Sequence, residues 1–144
     1  METTAPVPQT ISDDERFRAA LCHWSIGGSV LVGPLVVALP AWFWYEERMR
    51  AARGEKSSPF VTFHAAQACC YQAAVFTALA VLSTVAFLLT VILIGLLLIP
   101  VILLLAAAAL IYGVLMGVWV NQGRDERYYV VGAMVQERFF TKAP

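Results

Sequence analysis

From Ser57 to Gly123 the chain has no Lys, Arg, Asp or Glu, a charge-free run of 67 residues in a protein of 144. Inside it, Ala73–Val120 offers only Thr77, Ser83, Thr84, Thr90 and Tyr112 as hydroxyl-bearing side chains across 48 residues. A membrane crossing takes ~20 apolar residues, because ~30 Å of hydrocarbon is traversed at ~1.5 Å per residue. The run is too long for one crossing and suits two. The absence of charge inside it also excludes a voltage sensor, a proton relay across the bilayer or an ion-coupling carboxylate.

Other absences narrow the field further. Only 14% of residues are charged and 60% are hydrophobic, against about 25% and roughly 45–50% in soluble domains. Ten basic residues balance ten acidic ones, so no surplus of positive charge points to nucleic acid. Three cysteines, Cys22, Cys69 and Cys70, make no disulfide framework. No glycine-rich phosphate loop and no His/Glu metalloprotease pattern is present. No cofactor is expected, and the chain is read as a non-enzyme.

What is present reads as an all-α polytopic membrane protein, a bundle of three to four membrane-embedded helices. Residues 1–12, with Pro6 and Pro8, form the expected disordered leader. Residues 13–140 form one helical domain, opened by a capping box in which Ser12 and Glu15 satisfy each other's free amides. A first membrane element covers 19–45, free of charge but punctuated by Gly27-Gly28, Gly33-Pro34 and Pro40. Two architectures are open for it: one kinked span, or two helices that fold back at the glycines. The second strands no charge on the far side and is the favoured one.

Trp42, Phe43, Trp44 and Tyr45 end that element as an interfacial aromatic band. A charged loop follows over 46–58. Ser58 as cap and Pro59 at the first helical position start the next helix, interfacial over 59–72 and crossing over 73–94. Gly95–Pro100 is expected to turn, 101–120 to cross back, and 124–140 to lie on the membrane surface. Lys and Arg number four in the loop, four in the tail and none in the 95–100 turn, which places loop and C-terminus in the cytoplasm of a plasma-membrane protein.

His64, Gln67 and Tyr71 stand at i, i+3 and i+7 and share a helix face, with Phe60 and Phe63 just before them. This face is the candidate polar or interaction site. His23 could approach His64 across the helix pair, but two histidines and distant cysteines do not suggest a metal centre. Ala109, Gly113 and Gly117 make a small-residue stripe that lets a helix approach closely, within the chain or between copies.

Three islands carry a family likeness: Asp14-Glu15-Arg16 with Ala20–Ser25 and Gly33-Pro34-Leu35, then Ser58–Ala68, then Asn121-Gln122-Gly123. The second, with its Phe-x-x-Phe-His-x-x-Gln core, is the specific one. Together they resemble a family of small uncharacterised bacterial membrane proteins that is grouped with a chloroplast inner-envelope import subunit of the Tic translocon. The resemblance implies a helical membrane bundle without an assigned activity. The leading functional expectation is an interaction or assembly subunit of a membrane complex, partnered by lipid and by another membrane protein or a second copy. The rival is a small oligomeric channel or carrier lined by His64, Gln67 and Tyr71.

Overall fold

A computed structural model describes residues 11–140. The leader expected over 1–12 therefore lies outside the described residues except for Ile11 and Ser12. The described chain is helical, with no strand among its residues. Six α-helices follow in order: α1 Asp13–Trp24, α2 Ser29–Val32, α3 Ala38–Ala52, α4 Pro59–Leu89, α5 Ile94–Asn121 and α6 Val131–Val135. Three stretches, Asp13–Ala52, Pro59–Ile92 and Ile94–Asn121, are long and apolar enough to cross a membrane. The chain is an all-α polytopic membrane protein.

The first stretch folds back on itself. Tight 3-10 turns at Ser25–Gly28 and Gly33–Val37 interrupt it, the second opened by Gly33 at φ +60°, a conformation that suits a residue without a Cβ. As a result Arg18 of α1 reaches Glu47 of α3 at 2.8 Å, which closes a hairpin. Ser12 Oγ accepts from the Glu15 amide at 3.3 Å and Glu15 returns the bond to the Ser12 amide at 2.8 Å.

Two boundaries differ from the sequence expectation. α3 continues through Ala52, so Glu46 and Glu47 are helical and the loop is only 53–58. Glu46 pairs with Arg50 one turn on, while Glu47 takes Arg18 and the Ser58 amide; the helix stops where Gly54 turns at φ +71°. The second hairpin turns at Thr90–Leu93, not at Gly95–Pro100, both of which lie inside α5. Gly95 is a packing glycine: a Cβ there would collide with the Ala86 carbonyl and Thr90.

The bundle is broad at one end and narrow at the other. α1, α3, α4 and α5 pack together at the charged end, where Cys22, Ala65 and Ala68 meet Phe43 and Trp44. Beyond Gln72, only Ala86 of α4 is buried; α5 buries only Gly95 before Gly113. There the two helices run on as a pair whose outer faces are apolar and open to lipid. The charged segments meet at the broad end, through the Arg18–Glu47 pair and through Arg16, which lies against Gly123.

Candidate functional site

The apolar walls of α1, α4 and α5 leave one polar seam, just inside the charged end. α1 brings His23 to it on the face shared with Ala19, Ala20 and Cys22, and α4 brings His64, Gln67 and Gln72; all of these are buried. His23 Nε2 lies 3.3 Å from His64 Nδ1. The segment after α5 completes the seam: the Tyr128 hydroxyl lies 3.0 Å from His23 Nδ1, and Asp125 Oδ1 lies 3.7 Å from His64 Nε2.

One tautomer set accommodates both hydrogen bonds and turns His64 Nε2–H toward Asp125, beyond hydrogen-bond reach. Tyr128 O–H donates to His23 Nδ1, His23 Nε2–H donates to His64 Nδ1, and His64 Nε2–H points at the Asp125 carboxylate. Burial, reinforced by the nearby Tyr71 and Tyr112 hydroxyls, pushes the Tyr128 hydroxyl above the ordinary tyrosine range, which keeps it a neutral donor. The hydrogen bonds run from Tyr128 through His23 to His64, and the exposed Asp125 carboxylate stands just beyond.

The neighbouring groups hold the same segment. Gln67 Nε2 donates to the Glu126 carbonyl at 3.3 Å, and a Cβ on Gly132 would come within 2.6 Å of Gln67 Oε1, so only glycine lets α6 sit so close. The Tyr71 ring stacks on Tyr128, centroids 3.9 Å apart, and its hydroxyl donates to the Ala109 carbonyl at 2.8 Å. Gln72 Nε2 donates to the Cys22 carbonyl at 2.9 Å and to Ser25 Oγ at 2.8 Å, which fixes the end of α1. Phe60 and Phe63 meet the His64 ring edge-on, while Arg127 lies over Phe63 and Phe140 packs beside it.

His64, Gln67, Tyr71, Phe60, Phe63 and His23 are thus brought together, and the i, i+3, i+7 face is filled by protein. Ala109 contributes its carbonyl. Gly113 and Gly117 are covered from within the chain, by Ile26 and Tyr71 and by Trp24 respectively. Asp125, Tyr128 and Gly132 belong to the site although the sequence alone did not mark them, and Gln72, which follows the polar face in sequence, joins it through Cys22 and Ser25. Tyr128 is buried while its neighbour Tyr129 is 92% exposed, so this part of the tail is inserted in the bundle as well as laid along it. Among the described residues no group of three or more His, Cys, Asp or Glu is placed to hold a metal ion.

The arrangement is a clasp that docks the C-terminal segment on the helices. Tyr128→Phe removes the hydroxyl and leaves His23 Nδ1 without its donor, at an expected cost of about 1 kcal/mol. Limited proteolysis should then cut after residue 124 faster than in the parent, whereas Tyr129→Phe should leave the rate unchanged.

A model of the MamF/MmsF family matches residues 14–135, a region that contains the whole seam. No curated protein and no solved structure matches the chain. The expected likeness to a Tic import subunit has no counterpart among these matches. With most of its length covered by that match, the chain belongs to the magnetosome magnetite crystal formation protein family.

Proposed function

We propose that this chain is a non-enzymatic membrane accessory of magnetite crystal formation, acting through contacts with another membrane protein rather than through chemistry of its own. One observation carries the reading: His23, His64, Gln67, Gln72 and Tyr128 are buried and turned inward to the clasp, with Asp125 at its exposed edge. The His64, Gln67 and Tyr71 face is occupied by α1 and the C-terminal segment. Beyond it the paired helices carry no charge and few polar groups, so a polar lining does not continue across the bilayer.

The surface we assign to a partner lies beside the clasp. A groove of about 650 Å³ opens there, walled by Phe60, Phe63 and Phe140, with Lys56 and Arg127 on its lining beside Glu15 and Asp125. Its aromatic walls, edged by charges of both signs, suit a protein segment that inserts apolar side chains and pairs polar ones at the edge. The Lys and Arg residues gathered at this end orient it toward the cytoplasm.

Replacing the chain by a Phe60→Glu variant in a magnetite-forming cell tests it. Crystals of altered size or shape, in cells whose variant protein still reaches the membrane, are expected, together with loss of a partner that crosslinks to the parent chain. Unchanged crystals both in that variant and after deletion of the chain would overturn the proposal.

A further inference from the structure

The number of helices changes across the thickness of the molecule, and the change falls inside the apolar zone. Gln72 of α4 bonds to Cys22 and Ser25, and Gly113 of α5 lies under Ile26. Positions 25–26, 72 and 113 therefore share one level. From that level α4 and α5 continue as a pair to the turn at Thr90, about 27 Å for the 18 residues of α4 at 1.5 Å each. That length matches the ~30 Å hydrocarbon core. The level of Gln72 consequently sits near one boundary of the core, with Trp24, Tyr71 and Tyr112 close to it, residue types that favour such boundaries.

The first hairpin goes on past this boundary, but not far. From Ile26 to its turn at Gly33 there are seven residues, a rise of at most about 10 Å even if fully helical. This apex is apolar and open: Val30 is 79%, Leu31 88% and Leu35 74% exposed. It carries no charged residue, and the Arg18–Glu47 pair anchors the base of the hairpin at the charged end. An apex of this length enters the hydrocarbon and ends within the leaflet it entered. Short turns bond part of the apex backbone locally, the Ser29 amide to the Ile26 carbonyl and the Gly33 amide to the Ser29 carbonyl, which lowers the cost of placing it in hydrocarbon.

We propose that the first hairpin is a one-leaflet wedge, seated among the acyl chains of the leaflet next to the charged end, and that it makes the chain favour membrane convex toward its charged face. Four helical cross-sections occupy that leaflet and two occupy the other. With helices about 10 Å across, the difference is on the order of 150 Å² of area per molecule. A leaflet that is expanded relative to its partner is the outer leaflet of a small vesicle or tube, and shallow apolar insertions are sensitive to curvature for this reason. The wedge is independent of the role in crystal formation. It commits the exposed apex to lipid rather than to a second copy of the chain.

The test uses the full chain, labelled on the charged side and reconstituted in giant phosphatidylcholine vesicles from which narrow tubes are drawn outward. An external quencher separates molecules by orientation. Molecules with the charged face outward should be enriched in the tube several-fold over the parent vesicle, increasingly so as the tube narrows, and those facing inward should be depleted. In the Leu31→Lys/Leu35→Lys variant, which draws the apex out of the hydrocarbon, enrichment should vanish; the dependence on tube radius in the parent chain keeps the test independent of that variant's folding. Equal density on tube and vesicle in both orientations would overturn the proposal. So would enrichment that persists in a folded variant, or dimers that bury position 31 and do not sort.

Discussion

Replacing Arg18 with methionine is expected to destabilise the bundle by about 3 kcal/mol, because it leaves a buried carboxylate without its main counter-charge. Glu47 is 1% exposed; Arg18 lies 2.8 Å from its Oε1, and the Ser58 amide donates to its Oε2 at 2.7 Å. Arg50 stands 3.9 Å away and cannot make the same close contact without leaving Glu46. Methionine retains a flexible apolar body beside Phe43, over whose ring the guanidinium lies. The loss is therefore one of charge compensation. The Arg18→Met/Glu47→Met double variant should recover most of the stability, since a buried ion pair exchanged for apolar groups is often neutral. Denaturant unfolding in detergent micelles, followed by circular dichroism, reads both. A single variant within about 1 kcal/mol of the parent would place this pair with exposed salt bridges and remove it as the tie that closes the hairpin.

The second large effect is expected at Gly117. A Cβ there would meet the Trp24 indole at its Cδ1 and Nε1 atoms. Trp24 is the last residue of α1, and the chain bends directly after it, so the ring has little room to retreat. Gly117→Val should cost about 1–3 kcal/mol, the usual range for overpacking a filled interior. Gly27→Ala is the control: open space surrounds that position, and the same unfolding measurement should show no loss. Equal behaviour of the two variants would contradict the seating of α1 on α5.

These glycines show how much of the molecule could be read in advance. The charge-free run announces helices in lipid because no soluble core needs so long an unbroken apolar surface. Local chemistry placed helix starts at Ser12 and Ser58, where a hydroxyl can satisfy a free amide three residues on. Glycine, however, marks a turn and a close helix contact alike. Gly95 and Pro100 suggested a turn, yet the chain reverses at Thr90–Leu93, where Leu93 takes φ +63° without any turn residue to signal it. Its amide is met by the Thr90 carbonyl, and its own carbonyl accepts from Leu96.

The site divides in the same way. His64, Gln67 and Tyr71 were visible because helical periodicity puts them on one face. Tyr128 was not, since it meets His23 across 105 positions of sequence and nothing local separates it from the exposed Tyr129. Gly132 is explained by Gln67 and Arg127, whose Oε1 and Cβ leave no room for a side chain there.

The central claim is that residues 13–52 enter the membrane and return to the side they left. Asp14 and Arg50 line one cavity at the charged end. With Cys22, Cys69 and Cys70 replaced by alanine, spin labels at Asp14→Cys and Arg50→Cys can report their separation in lipid bilayers. The account predicts a single short distance, a small fraction of the about 54 Å that an unbroken helix of 36 steps would give. A distance near that full length would mean one crossing, with α1 and α3 on opposite sides, and would contradict the hairpin and the wedge together.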